Sequence, residues 1–455
     1  MPSKVCRFLS IAVFDGMFKQ LEFVHIDLQF KLLETIQRLA TQISRIFASG
    51  QMLPSTIFNG VETLTGSDVV ADRFVFAAGS TLSGSLNGGS GVGVDEINVS
   101  ALTGSVNFAT KKVTGVGGTW SGLESFVSTG GTLTGADANT NWLVSGDRTG
   151  TVGYQEASIS YALSFAGFST LQGGSQADVF TFGPLGRVTT VFGGAGVDRL
   201  VGPDLAVNWI LTEAGGGSLL NSVSFKQFEN LQGGAGADRF QVRPAGTLTG
   251  NIDAGAGENV LDYTLFTTAI NVDLTSGMLK GTNVGGLTDS FALVMGGSGA
   301  DTIKGSTTRS MILVGNGGND ALWGGAGNDI LVGGLGADTL RGQGGQDILI
   351  GGRVLYDTTI DGLISIWREW SRGDTNYVGR INHLMGTTSN GLNGTYYLRN
   401  KLSATDPLPG TLPDDTTVDT LFGGGDTDWF ISATTDLDSD IVSGETKTAP
   451  GKLTW

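Results

Sequence analysis

Between Gly296 and Gly352 apolar residues return on a nine-residue beat. Ile303, Ile312, Leu322, Leu331, Leu340 and Leu349 each fall eighth in a unit that opens on glycine. The units read GGSGADTIK, GSTTRSMIL followed by one extra residue (Val314), GNGGNDALW, GGAGNDILV, GGLGADTLR and GQGGQDILI. Asp320, Asp329, Asp338 and Asp347 are nine apart, and Asp301 lies nineteen before Asp320. Six residues of turn and three of short strand account for this spacing, so two units complete one coil of a parallel roll. Asp320 and Asp338 then share one edge, Asp329 and Asp347 share the other, and the eighth residue points into a thin core.

The rest of the chain carries looser patterns. From about residue 56 to 295, FNGVETLTGSDVVADRFVF, FSTLQGGSQADVFTF and FENLQGGAGADRFQV repeat one unit, and FALVMGGSGADTI from Phe291 runs into the nine-residue region. Two connecting segments recur as well: residues 100–118 resemble 263–286, and NWLVSGDRTGTV (141–152) resembles NWILTEAGGGSL (208–219). Short β-branched and aromatic runs between Gly, Thr and Asn predict strands joined by tight turns, stacked as solenoid coils. Within residues 1–50, apolar positions from Leu21 to Ile46 return about every 3.6 residues, the helical period, although Val24, Ile26, Leu28 and Phe30 also alternate like a strand. We read this segment as a cap over the first coil, in preference to a partner helix. Ile360, Leu363, Ile364, Trp367 and Trp370 predict a second helix within an insertion at 353–413, where the Trp pair is either a carbohydrate platform or a buried helix face. Asp419 and Asp428 are again nine apart, with Leu421 and Phe430 in the eighth position, so the roll is expected to resume over 414–455. The expected fold is all-β: an elongated parallel β-solenoid (51–295) leading into a β-roll (296–352), with a helical cap and a short helical insertion.

Composition narrows the function. Glycine supplies 74 of 455 residues and proline nine, which suits dense turns. A net charge of −16 argues against nucleic acid or an anionic membrane as partner and suits a divalent cation. Cys6 is the sole cysteine, so neither an intramolecular disulfide framework nor a Cys-based zinc site is available. No apolar run is long enough to span a bilayer, and FLSIAVF near the start lacks an A-x-A cleavage site, so a cleavable leader is not expected. The histidines are His25 and His383, with no H-E-x-x-H, G-x-S-x-G or Walker A pattern.

The nine-residue units themselves point to calcium. Glycines at positions one, two and four allow positive φ and close backbone approach, while aspartate and turn carbonyls offer the hard oxygens that Ca²⁺ takes in sixes to eights. This stretch resembles the RTX (haemolysin-type) calcium-binding repeat family, and the upstream repeats resemble bacterial surface adhesins of the filamentous-haemagglutinin type. The candidate ligands are the carboxylates of Asp301, Asp320, Asp329, Asp338, Asp347 and Asp428. To these are added the backbone carbonyls of Gly315, Gly317, Gly324, Ala326, Gly333 and Leu335. The turns at 193–198 and 233–238 lack a partner eighteen residues away and are expected to be structural. The expected protein is extracellular or on the cell surface, calcium-stabilised and adhesive, without catalysis, and a cell-surface glycan or protein is its candidate partner. Two alternatives remain open: a polysaccharide lyase or epimerase with an RTX module, and a non-catalytic part of an RTX toxin or hydrolase.

Overall fold

The structure is a computed structural model describing residues 6–8 and 62–448, apart from 92, 221, 276–278, 400–410, 414 and 442–443. The helix expected over Leu21–Ile46 lies outside the described residues. The chain divides into two compact units, one drawn from Met1–Leu200 and Ser222–Phe228, the other from Val201–Asn221 and Glu229–Trp455.

In the first unit, short strands stack in parallel, one per coil. Cys6–Phe8, Arg73–Phe76, Glu96–Asn98 and Ser125–Val127 form one ladder. Val106–Asn107, Thr132–Thr134, Thr170–Gln172, Thr190–Phe192 and Val223–Lys226 form another. Side chains alternate across a strand, so one residue per short strand carries the core: Ile97, Phe126, Leu133, Leu171, Val191 and Phe225 are fully buried.

The recurring NW segment breaks this parallel rule. Thr140–Gly146, Thr149–Glu156 and Ile159–Ala166 form an antiparallel meander. In the second unit Asn208–Glu213 pairs antiparallel with Gly216–Leu219. Both first strands then pair in parallel with the next coil, where Trp142 stacks on Phe180 at 5.0 Å and Trp209 on Phe240 at 5.3 Å. Such stacks contribute roughly 0.5–1.5 kcal/mol beyond burial, which explains why the Trp recurs with the hairpin. The other recurring pair behaves alike: Val106–Asn107 returns on Lys112–Val113, and Asn271–Asp273 on Lys280–Gly281.

The second unit contains the nine-residue coils. One ladder runs Phe291–Met295, Ile312–Gly317, Ile330–Leu335, Ile348–Ile350, Trp429–Ile431 and Thr446–Thr448. The other runs Asn271–Asp273, Thr302–Lys304, Ala321–Ala326, Thr339–Gly344, Thr420–Gly424 and Leu437–Ser439. Leu349 pairs with Phe430 and Leu340 with Leu421, so the coils continue across the intervening segment. One register differs from the repeat count. Leu313, not Ile312, aligns with Leu331 in the inward position, because the single extra residue of that unit is absorbed before the strand and not after it.

The two ladders differ on their outer sides. Residues seven and nine of the first are Ile312 and Val314, Ile330 and Val332, Ile348 and Ile350, Trp429 and Ile431, all buried. Helix α1 (Ile360–Ser371) and helix α2 (Tyr377–Leu384) supply Leu363, Ile364, Ile366, Trp370, Ile381 and Leu384 to the same cluster. Trp370 is fully buried and donates its indole N–H to the Gln346 carbonyl at 2.7 Å, so this Trp belongs to the buried helix face. Asn376 caps α2, accepting from Gly379 N–H at 2.8 Å. The second ladder places Thr302, Ala321, Thr339 and Thr420, with Lys304, Trp323, Arg341 and Phe422, in half-buried positions.

The continuation of the coils can be tested without emptying the core. Thr339 and Thr420 are register partners on the half-buried side. Neighbouring strands lie about 4.8 Å apart, within disulfide reach. In a Cys6→Ser background, Thr339→Cys with Thr420→Cys should cross-link on oxidation, read as a shift on a non-reducing gel. Failure to cross-link under conditions where both thiols react with a maleimide would refute the pairing.

Candidate metal centre

Each coil turns through two edges, and on each edge the aspartates form a ladder. The N–H of Asp301 donates to Oδ1 of Asp320 at 2.7 Å, that of Asp320 to Asp338 at 2.8 Å, and that of Asp338 to Asp419 at 2.8 Å. On the other edge Met311 N–H donates to Asp329 at 2.6 Å, Asp329 to Asp347 at 2.8 Å, and Asp347 to Asp428 at 2.8 Å. One carboxylate oxygen is thereby spent on joining a coil to the next. The other, Oδ2, is buried without a hydrogen-bond donor in Asp320, Asp329, Asp338, Asp347 and Asp428.

Backbone carbonyls face four of these oxygens, whereas the point at Gly423 is shared by Asp428 Oδ2 and the Phe430 ring. A β-carbon on Gly324 would sit 2.5 Å from Asp329 Oδ2 and 2.7 Å from the Gly342 carbonyl oxygen. The same point at Gly315 is shared by Asp320 Oδ2 and the Gly333 carbonyl, at Gly333 by Asp338 and Gly351, and at Gly342 by Asp347 and Gly423. Each cradle therefore draws a carboxylate from one coil and a carbonyl from the next. Only glycine leaves the cradle open, and burying such oxygens with no partner costs several kcal/mol each.

Three turns elsewhere satisfy the same carboxylate differently, whereas the turn at 193–198, expected to be structural, has the cradle arrangement: Gly194 has a φ of 111°, and a β-carbon on Gly193 would meet Asp198 Oδ2 and the Gln227 carbonyl. Gly174 N–H donates to Asp178 Oδ2 at 2.7 Å, Gly234 to Asp238 at 3.0 Å and Gly297 to Asp301 at 2.7 Å. None of these second-position glycines has positive φ, whereas Asn316 (72°), Gly325 (117°), Gly334 (115°), Gln343 (76°) and Gly424 (103°) all do. Positive φ at position two turns the preceding peptide over, which takes the N–H away from the carboxylate. Asn259 supplies an internal control. Its side-chain oxygen accepts from Asp238 N–H at 2.8 Å as an aspartate would, and its Nδ2 donates to the carbonyls of Gly255, Ala256 and Ser290 at 3.3, 3.1 and 3.0 Å. Where an amide stands, hydrogens hold the carbonyls; where an aspartate stands, oxygen faces oxygen.

Burial and mutual repulsion push these carboxyls up. Desolvation, with Asp301 nearby, raises Asp320 to about 7; desolvation, with Asp320, Asp419 and Asp415, raises Asp338 to about 8. Asp428 rises to about 7 by desolvation and the charges of Glu445, Asp440 and Asp426. Asp329 and Asp347 are raised well above the ordinary range, first by desolvation and then by neighbouring aspartates. The donor set is all hard oxygen and carries excess negative charge, and it fits Ca²⁺. Among the described residues no group of three or more His, Cys, Asp or Glu side chains is placed to hold a metal. Carbonyls would supply most of the shell, and a bound ion would replace the protons and join adjacent coils.

The candidate ligands sort accordingly. Asp320, Asp329, Asp338, Asp347 and Asp428 present an open Oδ2, whereas both oxygens of Asp301 take protein N–H donors, from Ile270 and Gly297. The Gly333 carbonyl lies at a cradle, and those of Gly342, Gly351 and Gly423 do so as well. Those three were missed, although the rule that names Gly315, Gly324 and Gly333 by their first position names them too. Of the third-position residues, Gly317 pairs with Leu335 and Ala326 with Gly344 across coils, and the Leu335 carbonyl accepts from Gly318 N–H at 2.8 Å.

The family model of the RTX calcium-binding nonapeptide repeat matches four copies here, at residues 293–307, 312–340 and 323–353. This stretch carries RTX calcium-binding repeats. No characterised protein matches the chain.

Two outcomes follow. Asp329→Asn should weaken calcium binding in a titration calorimeter, while Asp238→Asn should leave it unchanged, because Asp238 Oδ2 is already held by Gly234; equal losses would remove the distinction between the two turn types. The second concerns pH with calcium chelated. Folded carboxyls raised to about 7 or 8 stay protonated where unfolded ones, near 3.9, have ionised. The folded state then holds more protons, so stability falls as pH rises from about 4 to about 8. Thermal melts in chelator should give a lower Tm at pH 8 than at pH 5, and calcium should abolish most of that difference.

Proposed function

We propose that the chain is a secreted or cell-surface structural and adhesive protein, without catalysis, whose C-terminal coils are held in register by Ca²⁺. One observation carries the calcium part of this reading: the row of buried Oδ2 atoms facing backbone carbonyls between coils. Such edges repel unless a cation or protons fill them, so ordering follows calcium supply. Sites of extracellular modules bind at about 10⁻⁴–10⁻³ M, a concentration met outside cells and not in cytosol. The RTX repeats support the same location. No helix among the described residues is long and apolar enough to cross a membrane. The adhesive part rests on architecture: stacked coils offer extended repetitive faces, and repeat proteins use such faces for binding.

Calcium added to the full chain should increase β-structure by circular dichroism and raise the melting temperature, with a midpoint of about 10⁻⁴–10⁻³ M. Magnesium should not substitute, because it demands a tight octahedron that backbone carbonyls set between coils do not form. A spectrum and Tm indifferent to calcium would overturn the reading.

A further inference from the structure

The sheet face of the second unit opposite the helical insertion carries an ordered line of charges and rings. Register places Asp273 beside Lys304, Lys304 beside Trp323, Trp323 beside Arg341, Arg341 beside Phe422, and Phe422 beside Ser439. On the antiparallel return, Lys280 lies opposite Asp273. Contacts follow the register: Lys304 Nζ lies 5.9 Å from the Trp323 ring centre, and the Arg341 guanidinium 4.0 Å from that of Phe422. A second line runs alongside through Asn271, Thr302, Ala321, Thr339 and Thr420. Lys304, Trp323, Arg341 and Phe422 are half-buried and Lys280 is exposed, whereas the equivalent positions of the other ladder lie under α1 and α2.

Two features single out one kind of occupant. This line holds three cations against one carboxylate in a chain of net charge −16, so its sign opposes that of the protein. Cation and aromatic ring also alternate from strand to strand at about 4.8 Å, close to the rise of one sugar along an extended polysaccharide. A flat pyranose ring packs on an aromatic face, and a uronate carboxylate accepts from Lys or Arg. We propose that Lys304, Trp323, Arg341 and Phe422 form a binding track for a linear acidic polysaccharide of uronate type, with Thr302, Thr339 and Thr420 bonding its hydroxyls. This deepens the adhesive reading above and rests on it. The line contains no Tyr or His and one carboxylate, already held by Lys304 at 3.1 Å, so it is equipped to bind and not to cleave. Because its members sit on successive coils, the track exists only when calcium holds those coils in register.

The test uses the full chain with calcium and hexagalacturonate, too short to gel, followed by calorimetry and Trp fluorescence. Saturable binding is expected, lost on chelation, and roughly tenfold weaker in Trp323→Ala and in Arg341→Gln. Trp323→Phe should recover most of it, and cellohexaose, which is neutral, should not compete. Circular dichroism of each sample reports whether the roll is calcium-ordered, so a failed track is distinguished from a failed roll. An ordered roll with no binding, undiminished binding in both variants, or equal binding of poly-glutamate would each overturn the proposal; the last would make the face a general anion site.

Discussion

A carboxylate oxygen buried at the edge of a coil must meet a positive partner, and everything in the second unit depends on how that demand is met. Where the second turn residue has ordinary φ, as at Gly174, Gly234 and Gly297, its own N–H meets the oxygen and the turn closes without help. Where that residue has positive φ, as at Asn316, Gly325, Gly334 and Gln343, the N–H is withdrawn and carbonyls stand opposite. The cost of such an arrangement without a cation exceeds the net gain of an ordinary hydrogen bond. The same nine-residue wording thus yields a self-sufficient turn or a metal cradle, according to one peptide plane.

Coils that touch only their neighbours have little else to lean on. A narrow roll buries one inward residue per strand, so stability grows by adding interfaces. Ions between coils would strengthen those interfaces, and the helical insertion strengthens them on one side. Ile330, Val332, Ile348 and Ile350 would be exposed without α1 and α2. The chain leaves the roll at Gly352 and returns at Asp419, and a long excursion costs little because closure entropy rises only with the logarithm of loop length. A covered side and a half-open side result, and the open side is where a partner can reach the coils.

Calcium then acts on shape through electrostatics. In its absence, ionising carboxylates one coil apart repel, and protons are the only relief at low pH. In its presence the edges would be drawn together, and any surface assembled from several coils would inherit the dependence. A track such as Lys304 to Phe422 would respond to calcium without touching it.

The nine-residue spacing alone determined which aspartates share an edge, that Asp428 stands next to Asp347, and that Leu349 meets Phe430, because a coil of fixed length makes position a matter of counting. It also named most of the open carboxylates. Counting placed the extra residue after Leu313, whereas packing placed it before Ile312, because the inward position goes to whichever side chain aligns with Leu331. The antiparallel hairpins behind the NW segments were hidden as well, since alternation within a strand does not say which way its neighbour runs. Asp301 reads like Asp320 in sequence, yet its Oδ2 is taken by Gly297. That outcome depends on the orientation of a peptide, and the buried outer residues depend on helices arriving from elsewhere in the chain. Local spacing fixes what can stack; contacts one coil or one insertion away decide which oxygens stay open and which face stays bare.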